Sequence, residues 1–449
     1  MGTDNYTCIE RSLKVKRKLS LMMLVILLFI HIIPVYAQEP SFLDSELQSD
    51  AVILIEEETG RVLFEKNSNK KIYPASLTKI LTALIAIEYL DPNEVITVGN
   101  EVYAVPLDAS KAGHNPGDEI TLKDLLISLL LPSGNDSAFV IACQVSKKAT
   151  GNANLDVNGC IAHFAGMMNE KAKEFGLSDT HFVNPHGYHD ENHYSTAHDI
   201  AQMTREALKN PLFKEIVKMP SAEIGTAGNP KEQKLTFKNR NLLLDSKNSE
   251  TFYSYATGVK TGFTNEAGQC LVASAEKDGM SLIAVVLNNP TSVGRFKEAK
   301  TLLEYGFQNY NFQNIVNEGD TITTVVVEKA APKGPSELEL VAKNDFKELF
   351  YQDDFSRVEK SVTLFNEPIE APIVKGQVIG EVSFILGGEQ LGAVELIAKY
   401  DIQKRTILDL IFSVNAIPYW CGAVGIIFIL VSVITAIKKK RKRRGLHFR

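Results

Sequence analysis

The sequence predicts an α+β fold in which one antiparallel sheet is covered by helices, followed by a small all-β domain and a C-terminal transmembrane helix. Three observations lead there. Strand-like runs stand at both ends of residues 38–310 and enclose a block of segments with helical period. Near residue 311 the composition changes to short β runs separated by Gly, Pro, Asn and Asp. Residues 419–437 carry no charged side chain, and at about 1.5 Å per residue they can cross a hydrocarbon core of about 30 Å. The 449 residues, 45% hydrophobic and 23% charged, suffice for two or three folded units.

At the N-terminus, Lys14, Lys16, Arg17 and Lys18 precede the apolar residues 19–33, Pro34 and then Val35-Tyr36-Ala37, the pattern of a secretory signal cleaved after Ala37. An uncleaved anchor is the alternative, but the apolar core is short for a span of about 20 residues. Residues 51–55 and 61–64 form a hairpin across the polar 56–60, with Thr59-Gly60 at the turn. Helical spacing recurs at 77–90, 122–131, 138–149, 164–175 and 200–208. Strands at 270–275 and 281–287 join across Lys277-Asp278-Gly279, and 295–307 returns to helical period. The all-β part comprises 321–327, 337–341, 346–351, 361–364, 380–385 and 391–398. Residues 404–417 space their apolar side chains as an amphipathic helix does, which suits a connector resting near a bilayer.

These elements divide the chain into a signal peptide (1–37), a sheet-and-helix domain (38–310), the all-β domain (311–403), the connector (404–418), the span (419–437) and a basic tail (438–449). Lys438 to Arg444 are all basic, so by the positive-inside rule the tail is cytoplasmic and the folded domains lie on the extracytoplasmic face of the cell membrane. Residues 38–403 carry 33 Lys+Arg against 51 Asp+Glu, a net of −18 that repels phosphates and excludes nucleic-acid binding. The exported cysteines, Cys143, Cys160 and Cys270, are odd in number, so no complete disulfide framework exists. Cys143 and Cys160 flank a Gly/Asn-rich turn and their pairing is left open; Cys270, in an apolar strand, reads as a small buried hydrophobe.

Ser76-Leu77-Thr78-Lys79 places a serine and a lysine one helical turn apart. A serine hydroxyl is a weak nucleophile until a base takes its proton, and a lysine is such a base only where burial or a neighbouring cation lowers its pKa. Ile80-Leu81 follow Lys79, so its amine is expected to face an apolar wall, with Lys260 as the nearby cation. Alone, this spacing is a weak signal that more often describes a capping serine and a solvated lysine. Two further segments give it weight. Ser133-Gly134-Asn135 sets a hydroxyl and a carboxamide in a tight turn between two helices, and Lys260-Thr261-Gly262 lies on a strand whose glycine leaves room for a substrate backbone.

With these three motifs in this order, the chain resembles the low-molecular-weight penicillin-binding proteins, the serine-type D-alanyl-D-alanine carboxypeptidases of the S11 peptidase family. The resemblance covers about residues 45–310, with 311–403 similar to the family's second domain. It extends to His181-Phe182-Val183-Asn184-Pro185-His186-Gly187, to Tyr194-Ser195-Thr196-Ala197 and to Arg295. It implies a catalytic domain with the serine β-lactamase and penicillin-binding-protein fold. It further implies that Ser76 attacks the carbonyl between two terminal D-alanines, that Lys79 takes its proton and that Ser133 relays a proton to the leaving amine. Asn135 would hold the Lys79 amine and a substrate amide, while Lys260, Thr261, Gly262 and Arg295 would bind the substrate's carboxylate end. The backbone N–H groups of Ser76 and Phe263 would stabilise the oxyanion. The implied partners are peptidoglycan stem peptides ending in D-Ala-D-Ala, β-lactams as covalent inhibitors, and the cell membrane; no cofactor is implied.

The chain departs from the family pattern at His198, which replaces an arginine, and in the long, polar segment 143–160. Three competing readings carry less. His181, His186, His189, His193 and His198 invite a zinc site, but no H-E-x-x-H is present and Pro185 and Gly187 break the segment, so no metal is expected. A class A β-lactamase shares the motifs but needs a Glu-bearing deacylation loop, which the sequence does not place. A non-catalytic wall-binding protein has no reason to keep Ser76, Lys79 and Lys260 together.

Overall fold

The computed structural model describes residues 46–226, 233–411 and 416–444; the signal expected at 1–37 lies outside the described residues. Ala51–Glu56 (β1) is buried at all six positions, and a run this continuously apolar becomes an inner strand with both faces covered. Its partner Val62–Lys66 (β2) alternates in exposure, as an edge strand does. Between them the Glu56 carboxylate accepts from the N–H groups of Glu58 at 3.0 Å and Thr59 at 2.6 Å, and Gly60 supplies φ +75°.

The helical block follows: Lys79–Tyr89 (α1), the short pair Val95–Thr97 (β3) and Glu119–Thr121 (β4), Leu122–Leu130 (α2), Asn135–Thr150 (α3), Val157–Glu174 (α4), Ala197–Leu208 (α5) and Pro211–Val217 (α6). The hairpin Ser221–Thr226 (β5) and Gln233–Lys238 (β6) leads to three long strands, Ala256–Thr264 (β7), Gly268–Lys277 (β8) and Met280–Asn289 (β9), and to Gly294–Asn309 (α7). The sheet is antiparallel with order β2-β1-β9-β8-β7, so β7 is an edge strand.

Side-chain alternation in this sheet builds two cores. Ile53, Ile55, Val272 and Val285 point to the face packed by α1 to α6, with Phe164, Phe182 and Phe213. Val52, Leu54, Leu271 and Ala273 point to the other face, covered by Phe296, Ala299, Leu302 and Leu303 of α7.

Several elements start earlier than apolar periodicity suggests, because caps set helix ends and their first turns are exposed. Asp156 accepts from the Gly159 N–H at 2.8 Å and starts α4 seven residues before Phe164. Asn210 caps Pro211–Val217, accepting from Leu212 N–H at 3.0 Å and Phe213 N–H at 3.2 Å. Segment 143–160 comprises the end of α3, the start of α4 and the connection between them, which leaves α3 at Gly151, φ +67°. Cys143 and Cys160 are both buried there as free thiols, the Cys160 Sγ 3.9 Å from the Cys143 carbonyl.

The second domain contains Tyr310–Val316 (β10), Thr321–Val326 (β11), Glu337–Ala342 (β12), Phe346–Tyr351 (β13), Glu359–Leu364 (β14), Val378–Leu386 (β15) and Glu389–Ala398 (β16). Five strands form a sheet with order β11-β12-β16-β15-β14, while β10 and β13 form a separate ribbon. Phe350 and Phe384 anchor its core. The ribbon also packs on the first domain: Leu349 of β13 belongs to the α7-side core, the Tyr310 hydroxyl donates to the Leu63 carbonyl at 3.0 Å, and Arg61 donates to the Leu349 carbonyl.

Within the expected helix over 404–417 the described residues hold Ile407–Ile411 (α8), whose start is fixed by Asp409 accepting from the Thr406 N–H at 2.7 Å; residues 412–415 lie outside the described residues. Ile417–Arg444 (α9) begins two residues before the expected span and continues through the basic run. It is the one helix among the described residues apolar and long enough to cross a membrane, with mean hydropathy 2.5 and none of its apolar window buried.

Candidate active site

Ser76 sits in a short 3-10 turn, Ala75–Thr78, that runs directly into α1, so the serine stands at the mouth of the helix and Lys79 at its first position. The Lys79 side chain is fully buried. Its Nζ lies 2.9 Å from Ser76 Oγ, 2.7 Å from Asn135 Oδ1 and 2.7 Å from the His186 carbonyl oxygen. The expected apolar wall is therefore a cage of oxygens, and two cationic side chains stand near this amine, Arg240 and the expected Lys260. Burial first, and Arg240 second, hold the Lys79 amine well below its usual range, against a smaller upward pull from Asp136. Lys260 is equally buried and likewise well below its usual range, through burial, then Lys79, then Arg240.

The second motif is positioned by its backbone. Ser133 adopts φ +68°, a left-handed conformation that costs a non-glycine residue about 1 kcal/mol and turns the chain sharply between α2 and α3. Asn135 opens α3, and Asp136 beside it ties down the loop that follows the cleft-lining residues 108–110: its carboxylate accepts from the N–H groups of Ala112 at 2.8 Å, Gly113 at 2.8 Å and His114 at 3.2 Å. On β7, Gly262 presses against the serine turn, so that a Cβ there would lie 3.3 Å from the Ser76 backbone nitrogen. Lys260 Nζ donates to the Thr261 carbonyl at 2.9 Å. Arg295, from the first turn of α7, donates to the carbonyls of Gly262 at 2.9 Å and Cys270 at 3.2 Å; burial lowers its pKa to about 10, which leaves it charged at neutral pH.

Ser76, Ser133, Asn135, Thr261, Gly262, Phe263 and Arg295 all line one cleft of about 490 Å³, with Lys79 and Lys260 buried beneath it. Sequence reasoning missed three contributors. Arg240 lines the cleft and donates to Ser110 Oγ at 2.7 Å, yet stands in no motif. Asp136 adjoins the Ser-Gly-Asn motif, which is the only signal it gives. The third is the His186 carbonyl that holds Lys79, in a segment the sequence singled out for its family likeness and not for this contact; the histidines of 181–194 serve the loop and α1. His193 Nδ1 accepts from the Val183 N–H at 3.2 Å, which leaves its Nε2 to donate to Thr78 Oγ1 at 2.8 Å. His181 Nδ1 donates to the Asn192 carbonyl at 2.6 Å. Thr82 donates to the Pro185 carbonyl at 2.6 Å, and Gly187, at φ +80°, rests on Ala75. His198 meets Asp199, Nδ1 to Oδ1 3.3 Å, away from these contacts.

A strand edge beside a half-buried serine and its buried lysine partner, roofed by a hydroxyl–carboxamide turn, defines a serine hydrolase that works through an acyl-enzyme. Comparison with known proteins makes this specific. Residues 35–291 match the family model described as D-alanyl-D-alanine carboxypeptidase, and residues 310–404 match the C-terminal domain of penicillin-binding protein 5. The chain is 33% identical over 395 residues to the D-alanyl-D-alanine carboxypeptidase DacF of Bacillus subtilis, covering 87% of this chain and 95% of the relative. It is 30% identical over 391 residues to DacC of Escherichia coli, covering 84% and 90%. Among solved structures, penicillin-binding protein 5 of Haemophilus influenzae superposes with TM-score 0.58 at 29% identity, covering 80% of this chain and 98% of that one. The Streptomyces K15 DD-transpeptidase superposes with TM-score 0.54 at 30% identity, covering 58% and 98%. The chain belongs to the D-alanyl-D-alanine carboxypeptidase family of low-molecular-weight penicillin-binding proteins.

The packing of Gly187 yields a paired test. A Cβ there would sit 1.8 Å from the Ala75 carbonyl oxygen, whereas Gly176, with a similar φ of +72°, has nothing within 4 Å. Gly176→Ala is expected to cost about 1 kcal/mol of unfolding free energy through backbone strain alone. Gly187→Ala should cost at least about 3 kcal/mol and slow acylation by penicillin, since it pushes the loop off the serine turn. Urea unfolding and stopped-flow labelling of both variants measure the difference.

The buried histidines predict a pH dependence. Burial lowers His193 from 6.5 to about 4, and burial together with Lys79 and His193 holds His186 well below 6.5. The unfolded chain therefore binds more protons between pH 6.5 and 4, so the stability these groups contribute is complete above pH 6.5 and lost as pH falls toward 4. The urea midpoint is expected to be lower at pH 5 than at pH 7, with a shallower decline in His193→Gln.

Proposed function

We propose that the protein removes the terminal D-alanine from peptidoglycan stem peptides through an acyl-enzyme on Ser76. The observation that carries this reading is the buried Lys79 amine 2.9 Å from Ser76 Oγ. Burial holds this amine below its usual range, and in this reading Lys79 yields its own proton to solvent and accepts that of Ser76 as Oγ bonds to the carbonyl carbon between the two alanines. The oxyanion is met by the N–H groups of Ser76 and Phe263, a role supported by the close packing of Gly262 on the Ser76 nitrogen. Ser133 passes a proton to the departing amine, the C–N bond breaks and D-alanine leaves. Asn135 orients Lys79 and a substrate amide, while Lys260, Thr261 and Arg295 hold the terminal carboxylate. Water then cleaves the ester and restores Ser76. β-Lactams acylate the same serine. We further propose that α9 anchors the enzyme to the cell membrane with its basic end in the cytoplasm and its cleft outside, the described domains spanning 46–411.

Three experiments test these proposals. Penicillin adducts mapped by peptide mass are expected on Ser76 alone. Lys79→Arg should fold normally and lose acylation by several orders of magnitude, because a guanidinium gives up no proton at usable pH, whereas Lys260→Arg should be milder, because a carboxylate partner needs only a cation. Wild-type acylation in Lys79→Arg would remove Lys79 as the base. For topology, protease added to intact protoplasts should digest the catalytic domain and spare an epitope at Arg449; protection of the catalytic domain would invert the orientation.

A further inference from the structure

His114 is a buried histidine outside the cleft that the chemistry above does not use. It is 5% exposed, and its Nε2 lies 2.8 Å from Ser128 Oγ. Ser128, on the last turn of α2, and Ser137, on the first turn of α3, are both fully buried, and their hydroxyl oxygens are 2.8 Å apart. A hydroxyl has one proton to give. Ser128 gives its proton to the Leu125 carbonyl at 2.8 Å, so Ser137 and His114 both donate to the Ser128 oxygen. That fixes the imidazole proton on Nε2 and leaves Nδ1 a bare acceptor, with no hydrogen-bond partner among the described residues. Burial lowers the His114 pKa against smaller upward pulls from Asp136 and Asp118, so the ring is neutral at pH 7.

An orphaned buried acceptor costs folding free energy, and packing alone would favour an apolar side chain here. What the histidine secures is a junction. The Ser128 carbonyl accepts from the Gly134 N–H at 3.0 Å, and a Cβ on Gly134 would lie 2.6 Å from Ser137 Oγ, 2.7 Å from the Ser128 carbonyl oxygen and 2.9 Å from the Ala112 Cβ. The turn that carries Ser133 and Asn135 is thus enclosed by α2, α3 and the loop ahead of His114. That loop also reaches the cleft, because the Asn135 N–H donates to the carbonyl of cleft-lining Ser110 at 2.9 Å. We propose that His114 is a positioning residue for acylation: by donating from Nε2 to Ser128 it holds the strained turn so that the Ser133 hydroxyl stays in the cleft and the Asn135 carboxamide stays on Lys79.

This inference rests on the roles proposed above for Ser133 and Asn135, and its test separates the two. Penicillin acylation is followed by stopped flow over a range of concentrations, giving a plateau rate and a half-saturating concentration, beside a urea unfolding curve. His114→Leu keeps bulk without the donor and is expected to lower the plateau by about tenfold to a hundredfold, with the half-saturating concentration and the urea midpoint close to wild type. His114→Gln, whose amide nitrogen can stand where Nε2 stands, should restore most of the plateau. In Ser128→Ala, which removes the atom His114 acts on, adding His114→Leu should slow acylation no further. His114→Asn, too short to reach Ser128, serves in place of the leucine variant if that one does not fold, with the same expected fall. A wild-type plateau without the donor, an equal fall with His114→Gln, or additive losses in the double variant overturns the positioning role. Asn135→Ala is the control for the underlying reading: acylation at the wild-type plateau there overturns that reading and this inference with it, whereas a slow Asn135→Ala beside an unaffected His114→Leu overturns the inference alone.

Discussion

The molecule is organised around one buried amine. Taking a lysine head group out of water costs several kcal/mol unless polar partners replace the lost solvent, and here the partners of Lys79 are oxygens drawn from three separate elements: its own helix turn, the start of α3 and the loop 181–194. Those elements must converge within hydrogen-bond distance of one atom. Much of the surrounding architecture is explained by that requirement. Thr78, Thr82 and Gly187 clamp the loop to α1, and the strained backbone of Ser133 brings Asn135 inward. The same cage does chemical work, because oxygens that solvate the amine without a carboxylate among them leave burial free to depress its pKa.

Much of this was legible in the sequence, for physical reasons that differ by element. The strands of the central sheet and of the all-β domain announce themselves because alternation and continuous apolar runs report burial directly. Ser76, Lys79, Ser133, Asn135 and Lys260 are legible because their chemistry demands particular residue types at short spacings. Arg240 was not, since a long side chain can reach the cleft from anywhere and leaves no local pattern. Nor was the His186 contribution, because the contact to Lys79 is made by a backbone carbonyl that every residue possesses. The apolar wall expected around Lys79 failed for a related reason: Ile80 and Leu81 are its chain neighbours, but one residue along a helix turns the side chain by about 100° and points it to a different environment.

β10 also escaped a reading that treated residue 311 as a seam, although its partner β13 was expected at 346–351. Tyr310–Val316 continues straight out of α7, and its mix of amides with aromatics gives weak strand signal. Yet this ribbon is where the two domains meet, with Leu349 buried in the core beneath α7. A side chain from one domain that completes the core of the other couples their melting. The two should lose structure in a single cooperative transition, and trimming the chain near residue 310 would leave the catalytic half with an open hydrophobic socket, prone to self-association rather than free-standing.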